Sequence, residues 1–123
     1  MRSPTTVLVA DDEPDAARSL AGLLALLGFE ARAATTPLDV VRLAVAHPPD
    51  AVVLDLGWPG PDGCALAGAV CRAAGRRPVL VALTGRPGQE GRCRAAGFDH
   101  HLLKPADPAA VARAIRDRVS DNP

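Results

Sequence analysis

The feature that most limits the fold of this chain is a regular alternation between short apolar runs and segments whose apolar residues recur at helical spacing. The apolar runs have the length and composition of strands, and they cover residues 7–10, 29–34, 51–55, 79–83 and 99–103. The helical segments cover residues 14–27, 38–46, 62–75 and 88–96, and a last one begins at Asp107-Pro108. Strands that alternate with helices are joined by right-handed crossovers. The sequence therefore predicts an α/β fold, a doubly wound five-stranded parallel sheet with helices on both faces.

Residue types at the ends of the helical segments support these boundaries. Thr36 and Asp62 are predicted N-caps, because their side-chain oxygens can accept from free backbone N–H groups of a first helical turn. Gly28 is predicted to end the first helix, which carries four leucines on one face: Leu20, Leu23, Leu24 and Leu27. Segment 88–96 is the least helical of the five, because it contains Gly91 and few large apolar residues.

Length and composition indicate one domain. The chain has 123 residues, of which 48% are hydrophobic, so we expect a sizeable core over residues 5–119 and a disordered tail at 120–123. No stretch is apolar enough for a membrane span and the start shows no secretory signal. A formal net charge of +0 without a basic block argues against direct nucleic-acid binding. Cys64, Cys71 and Cys93 lack metal-ligand spacing, so free thiols and a cytoplasmic location are expected.

Polar side chains stand at or just past the ends of four predicted strands. They are the pair Asp11-Asp12, Asp55, Thr84 and Lys104. Neighbouring parallel strands present their carboxyl ends at one edge, where open α/β sheets place their ligands. Each residue alone would more often be a cap, a turn residue or a solvated charge. Together, three carboxylates, one hydroxyl and one ammonium suit a magnesium ion and a phosphoryl group.

The chemistry of this crevice would centre on Asp55. A carboxylate attacking phosphorus gains little from a general base, but it needs the incoming phosphoryl charge to be neutralised. Three carboxylates brought together repel one another, and a hard divalent cation relieves that repulsion. Lys104 would supply a fixed cation, and Thr84 a hydroxyl that can donate to a phosphoryl oxygen.

Four short motifs stand in a recognisable order. They are Val-Ala-Asp-Asp-Glu at 9–13, Asp-Leu-Gly-Trp-Pro-Gly-Pro-Asp-Gly at 55–63, Ala-Leu-Thr-Gly at 82–85, and Ala-Gly-Phe-Asp-His-His-Leu-Leu-Lys-Pro at 96–105. With these motifs, residues 7–119 resemble the CheY-like receiver domain of bacterial two-component response regulators. The last two motifs are closest in character to receivers of hybrid sensor histidine kinases. The resemblance implies the flavodoxin-like strand order 2-1-3-4-5 and a phosphoacceptor signalling module, not a metabolic enzyme.

The resemblance also assigns roles to the residues of the crevice. Asp55 would be the phosphoacceptor, and Lys104 would contact the phosphoryl group. The cofactor would be Mg²⁺, with Mn²⁺ as a substitute. Asp12 would bind the ion directly, Asp11 mainly through water, and Asp55 and the Gly57 carbonyl would complete the protein ligands.

Further residues would control the conformational switch and the rate of dephosphorylation. Thr84 would move towards the phosphoryl group on phosphorylation, and His101 falls where the family has its switch residue. Gly57 and Arg86 occupy the two positions that tune the dephosphorylation rate in the family. The Lys104–Pro105 peptide is a candidate for the cis form. The stretch between Thr84 and Lys104 is a couple of residues shorter than usual, and the loss falls in segment 88–96.

The expected partner is a sensor histidine kinase or a phosphotransfer protein, together with a downstream target that the sequence does not name. The module would be a monomer or a weak dimer without membrane insertion. Two other functions fit part of the pattern. An aspartyl-phosphate phosphatase or phosphotransferase usually carries a second acid two residues after the nucleophile, where this chain has Gly57. A degenerate receiver could act as a binding scaffold, but the complete polar set argues against it.

Overall fold

The structure is a computed structural model that describes residues 4–58 and 62–121, the last four of these as backbone only. Its elements alternate as β1 (Thr6–Ala10), α1 (Pro14–Leu26), β2 (Glu30–Ala34), α2 (Pro37–Ala46), β3 (Ala51–Asp55), α3 (Gly63–Ala74), β4 (Val79–Thr84), α4 (Glu90–Ala95), β5 (His100–Leu103) and α5 (Pro108–Asp121). The five strands form one sheet in the order β2-β1-β3-β4-β5. All neighbouring strands are parallel. The predicted fold class and strand order are confirmed.

The sheet separates two apolar cores, because successive side chains of a strand face opposite sides. Strand β3 shows this most clearly, since every one of its residues is buried. Val53 packs into the core that α1 and α5 cover, whereas Val52 and Leu54 pack into the core beneath α2, α3 and α4. Each such side chain contributes about 1.5–3 kcal/mol when fully buried. The central strands are thus held from both faces, and their carboxyl ends are fixed in position.

The apolar face of α1 is only partly buried. Leu24 is fully buried with Ala17 and Ala21, but Leu23 is 44% exposed and Leu27 is 39% exposed. The buried stripe of α1 therefore consists largely of small side chains, which let the helix lie close to the sheet, and two of the four predicted leucines border it.

The predicted helix ends are confirmed. The Thr36 hydroxyl accepts from the backbone N–H of Asp39 at 3.1 Å, and an Asp62 carboxylate oxygen accepts from the N–H of Cys64 at 3.0 Å. Gly28 follows α1 with φ of 99°, a conformation that glycine adopts at little cost.

Helix α4 is shorter than the predicted segment 88–96. It runs over Glu90–Ala95, six residues without a side-chain N-cap bond. Gly88 has φ of 82°, which no helical residue adopts, so the helix cannot begin before Gln89. Because α4 has a single full turn and contributes only Cys93 to the core, it is the least secured of the helices.

At the carboxyl end, the backbone of α5 is helical to Asp121, so the helix includes the first two residues of the predicted tail. Asn122 and Pro123, like residues 59–61 of the second motif, lie outside the described residues. All three cysteines are free: Cys93 is buried and the other two are half-buried. Among the described residues, no helix has the length and apolar character to cross a bilayer.

Candidate functional site

The predicted polar residues meet at the carboxyl edge of the sheet. Asp11 directly follows β1, Asp55 and Thr84 are the last residues of β3 and β4, and Lys104 directly follows β5. Because β1, β3 and β4 are neighbours, their ends lie side by side. Asp11, Asp55 and Thr84 are the buried polar side chains of the described residues, each between 5% and 6% exposed. Polar groups at this depth require partners.

Three carboxylates form a compact cluster at this edge. Ligand oxygens of Asp11, Asp12 and Asp55 all lie within 4.8 Å of one another. Asp12 is exposed while the other two are buried, so the cluster is open to solvent on one side. Clustered carboxylate oxygens are the donors that hard divalent cations prefer, and an open side leaves room for the waters that magnesium retains. The donor set therefore fits a magnesium ion.

Lys104 neutralises part of this charge. Its Nζ donates to Asp11 Oδ2 at 3.1 Å and lies 3.2 Å from Asp55 Oδ2. Burial on its own would lower the pKa of Lys104, but the bond to Asp11 and the charges of both carboxylates raise it above its ordinary value. The ammonium group therefore stays charged, and the backbone holds it: the Lys104 N–H donates to the Thr84 carbonyl at 2.8 Å. The Lys104–Pro105 peptide is cis, as predicted.

The Asp55 carboxylate is held by both of its oxygens. Oδ1 accepts from the Gly57 N–H at 3.1 Å, and Oδ2 faces Lys104. Burial raises the pKa of Asp55 above its ordinary value, the Gly57 bond and the Lys104 charge oppose that rise, and the Asp11 charge adds to it. A positioned, partly desolvated carboxylate suits nucleophilic attack, and a further cation would favour its charged form.

Thr84 lines the same cavity as Asp55, whereas His101 lies apart from it, beside α4. The Thr84 hydroxyl accepts from the Arg86 N–H at 3.1 Å, so it is engaged in a local turn. The His101 side chain is 10% exposed, and its Nδ1 lies 3.9 Å from Glu90 Oε1 at the start of α4. His101 lines a separate cavity of about 230 Å³ with α4 residues. The structure thus brings together the carboxylates and Lys104, and it keeps Thr84 beside them and His101 beneath α4.

A cavity of about 500 Å³ opens over the site. It is lined by Asp55, Leu56, Gly57, Trp58, Thr84, Gly85, Arg86, Gln89 and Arg92. A Cβ atom at position 57 would lie 3.6 Å from Asp55 Oδ1, so any side chain at that position would contact the carboxylate. Gly57 and Arg86 therefore both lie in the wall of the cavity that holds Asp55.

Two lining residues were missed by the sequence reasoning. Arg92 lies in α4, and Gln89 lies in the turn before it. The helical pattern of segment 88–96 is too weak to predict where either residue lies. Trp58, a residue of the second motif, is only 7% exposed, and it packs into the core beneath α2, α3 and α4. The position of Trp58, three residues after Asp55, could have indicated that it lies near the site. No local sequence pattern indicates the same for Arg92.

Comparison with known proteins identifies the class that this fold and site define. Residues 7–116 match the response regulator receiver domain, and the chain belongs to this family. It is 39% identical over 120 residues to the transcriptional regulatory protein KdpE of Mycobacterium tuberculosis, covering 96% of this chain and 52% of that protein. The chain spans about half the length of the curated response regulators KdpE, PrrA and MprA.

The predicted likeness to hybrid kinases has weaker support. The sensor histidine kinase RcsC of Salmonella typhi is 28% identical over 110 residues, which cover 89% of this chain and 12% of that protein. The response regulators KdpE and PrrA are more similar, at 39% and 38% identity. The sequence thus lies nearer to these response regulators than to this kinase.

Solved structures agree with the fold. A CheY-like receiver domain from Methanospirillum hungatei superposes with a TM-score of 0.85, covering 97% of this chain and 96% of that one, at 20% identity. A response regulator from Burkholderia pseudomallei has a TM-score of 0.82 at 25% identity, covering 95% of this chain and 69% of that one. That structure holds a phosphorylated aspartic acid, a calcium ion and citrate.

Proposed function

We propose that Asp55 accepts a phosphoryl group from a sensor histidine kinase, a phosphotransfer protein or a small phosphodonor in a magnesium-dependent reaction. The observation that carries this proposal is the geometry of the Asp55 carboxylate. It is buried at the end of β3, bonded by the Gly57 N–H at 3.1 Å, and paired with the Lys104 ammonium at 3.2 Å. Family membership supports the role, because receiver domains are signalling modules, and it does not favour the phosphatase or scaffold alternatives.

Magnesium would be held by Asp11, Asp12, Asp55 and the Gly57 carbonyl, with Mn²⁺ as a substitute. When bound, the ion would neutralise charge on the three carboxylates and on phosphoryl oxygens. Asp12 is the exposed carboxylate of the cluster, which suits direct binding of the ion. Asp11 is committed to Lys104 through Oδ2 and to the Glu13 N–H through Oδ1 at 3.0 Å, which suits a role through water.

The chain's own groups supply the rest of the chemistry. Asp55 attacks phosphorus as a carboxylate and needs no general base. The Lys104 ammonium lies 3.2 Å from the Asp55 carboxylate, so its charge would stabilise a phosphoryl group transferred to that residue. The Thr84 hydroxyl would leave its bond with the Arg86 N–H and donate to a phosphoryl oxygen. The domain would catalyse only its own phosphorylation and dephosphorylation.

Phosphorylation would switch a partner-binding surface through Thr84 and His101. Movement of Thr84 would open space beside the carboxyl end of β4, and His101 packs against α4 through Glu90. Since α4 is short and weakly secured, its position is easily biased. The surface formed by α4, β5 and α5 would then present a different shape to a downstream target.

Gly57 and Arg86 would set the lifetime of the phosphorylated state. The glycine leaves one side of the carboxylate open, because no side chain covers it, while the arginine lies across the cavity. Water that hydrolyses the aspartyl phosphate must approach past these two positions. We therefore expect substitutions at either residue to change the rate of dephosphorylation.

The relatives of the chain work in signalling. KdpE is a transcriptional regulatory protein and RcsC a sensor histidine kinase, and the chain matches only part of each. We propose a receiver domain over residues 5–119 that acts in the cytoplasm as a monomer or weak dimer, without binding nucleic acid itself. Three free cysteines suit a reducing compartment.

The test is phosphorylation of the purified chain by acetyl phosphate with and without magnesium, followed by intact mass. Wild type should gain one phosphoryl group only when magnesium is present. Asp55→Asn should gain none, because an amide cannot form the acyl phosphate. Asp39→Asn, which changes the same charge in the first turn of α2, should behave as wild type. Equal labelling of wild type and Asp55→Asn would sink the proposal.

A further inference from the structure

The cavity over Asp55 lies between two segments that are far apart in the chain. One wall consists of residues that follow β3, among them Gly57 and Trp58, and the other runs from Thr84 to Arg92 in α4. The sheet fixes the inner end of each wall, because both segments start from buried strands. A contact between the outer ends of the two segments would therefore fix the position of α4 relative to α3.

The ion pair between Arg92 and Asp62 makes such a contact. Arg92 Nη2 donates to both carboxylate oxygens of Asp62, at 2.8 Å and 2.7 Å. Asp62 is the N-cap of α3, so it stands at the far end of the segment that begins with the first wall. The bond from the Cys64 N–H, and then the bond and charge of Arg92, lower the pKa of Asp62. The carboxylate is therefore ionised at neutral pH.

The same arginine lies against the turn before α4. Its Nη1 is 3.5 Å from Oε1 of Gln89, the residue that precedes the helix. At the other end of this turn, the Arg86 N–H donates to the Thr84 hydroxyl at 3.1 Å. The turn is thus attached at both ends, to Thr84 beside Asp55 and, through Arg92, to α3 on the outer side.

We propose that Asp62, Arg92 and Gln89 form a latch that holds α4 and its preceding turn in the unphosphorylated position, a proposal that rests on the proposed function of Asp55. When Thr84 moves to a phosphoryl group, its hydroxyl leaves the Arg86 N–H, and the turn is displaced with it. The latch opposes that displacement because it anchors the outer end of the turn. Arg92 is therefore a positioning residue, which sets the balance between two positions of α4 without touching the reacting atoms.

The strength of the latch suits a reversible restraint. The side chains are 52% exposed for Arg92 and 49% exposed for Asp62, so solvent screens the pair. Helix α4 has six residues and no side-chain N-cap bond, so even a weak contact is a substantial part of what holds it. A buried ion pair in the same place would resist the movement far more strongly.

The first test measures amide hydrogen exchange in the unphosphorylated chain by mass spectrometry. Arg92→Gln and Asp62→Asn should each speed exchange in α4 and leave β3 unchanged. Glutamine has the helix propensity of arginine, and asparagine keeps an N-cap for α3, so each substitution removes little besides the ion pair. The double variant should exchange no faster than the faster single variant, since either substitution breaks the same contact.

The second test measures the rate of phosphorylation by acetyl phosphate and magnesium, followed by intact mass. Arg92→Gln and Asp62→Asn should each raise this rate by about two- to fivefold, the range that one exposed ion pair allows. A contact that only supported the structure of the site would have the opposite effect, because its loss would slow the reaction.

A matched ion pair elsewhere in the domain provides the control. Arg76 Nη2 lies 2.9 Å from Asp50 Oδ1, and the arginine is 49% exposed. Asp50 directly precedes β3, at the opposite end of the strand from Asp55. Arg76→Gln should therefore leave both α4 exchange and the phosphorylation rate at their wild-type values.

The two measurements separate the outcomes. Exchange of α4 at the wild-type rate, additive effects of the two substitutions, or a phosphorylation rate that falls or stays unchanged would each overturn the latch, while phosphorylation of Asp55 stands. If wild type accepts no phosphoryl group, the proposed function itself fails, and the exchange measurement still decides whether the ion pair holds α4.

Discussion

Lys104 is the only lysine of the sequence, and every other basic side chain apart from histidine is an arginine. Its ammonium group lies between two carboxylates, 3.1 Å from Asp11 and 3.2 Å from Asp55. A compact charge on a flexible stem can occupy this position, whereas a planar guanidinium would impose its own geometry on both partners. At the scale of single residues, the site therefore depends on one cation that no other residue type replaces.

Removing the Lys104 charge should destabilise the fold more than expected for a side chain that is 33% exposed. In Lys104→Met, two buried carboxylates lose their shared partner, so we expect the free energy of unfolding to fall by about 2 kcal/mol in metal-free buffer. Magnesium should restore more stability to the variant than to wild type, because it supplies the missing positive charge. Urea unfolding with and without magnesium measures both effects. Arg18→Met, at an exposed position of α1, is the charge-matched control, and an equal loss in both variants would contradict the prediction.

The buried Asp55 carboxylate should make stability depend on pH. Burial raises the pKa of Asp55 in the folded state, so the folded chain holds this proton more tightly than the unfolded chain. This group's contribution to the free energy of unfolding is fully present below its pKa in the unfolded chain. It is lost as the pH rises through its pKa in the folded chain. In metal-free buffer, Asp55→Asn should therefore become increasingly stable relative to wild type as the pH rises from the ordinary carboxylate pKa towards neutrality.

Urea unfolding of wild type and Asp55→Asn, from acidic pH to neutrality, checks this expectation. Asp117→Asn, at an exposed position of α5, should show no such trend. A difference between Asp55→Asn and wild type that shrinks as pH rises would contradict the account of the buried carboxylate.

At the scale of elements, α4 is where the domain is least secured. It has six residues, no side-chain N-cap bond, and a glycine within its only full turn. Its attachment rests on the buried Cys93, on the exposed Arg92–Asp62 ion pair at 2.7 Å, and on the contact between Glu90 and His101 at 3.9 Å. Exposed ion pairs add little stability, because solvent screens their charges. A helix held this weakly can shift without unfolding the sheet, as a switching surface requires.

Two glycines near α4 offer a matched test of this description. A Cβ atom at Gly91 would meet no atom within 4 Å, so Gly91→Ala should stabilise the domain by about 0.5–1 kcal/mol through helix propensity. Gly88 has φ of 82°, so Gly88→Ala should destabilise it by about 1–2 kcal/mol. Urea unfolding gives both values, and amide exchange should show more protection of α4 in Gly91→Ala. The same sign for both substitutions would show that α4 is misplaced.

The elements also show which parts of the structure a sequence can predict. Strand β3 and the cap at Thr36 were predictable, because an apolar run and a hydroxyl before a proline act locally. Asp55 could be placed at the end of its strand for the same reason. The extent of α4 and the place of Arg92 could not be predicted, because they depend on a glycine conformation and on an ion pair to Asp62, 30 residues away in the chain.

At the scale of the whole molecule, the site exists only when the sheet is complete. The Lys104–Asp11 pair joins residues 93 positions apart, and it forms because β1 and β5 present their ends at the same edge. Between them, β3 and β4 are buried on both faces, which fixes Asp55 and Thr84 in relation to the pair. The two cores therefore serve the chemistry by holding four strand ends in register.

The central claim is that Asp55, among the clustered carboxylates, receives the phosphoryl group. The most direct measurement is to phosphorylate the chain with acetyl phosphate and magnesium, reduce it with borohydride, and map the product by tandem mass spectrometry. Borohydride converts an aspartyl phosphate to homoserine and leaves free carboxylates unchanged. The account predicts homoserine at position 55 and aspartate at positions 11 and 12. Homoserine at position 11 or 12, or at no position, would contradict it.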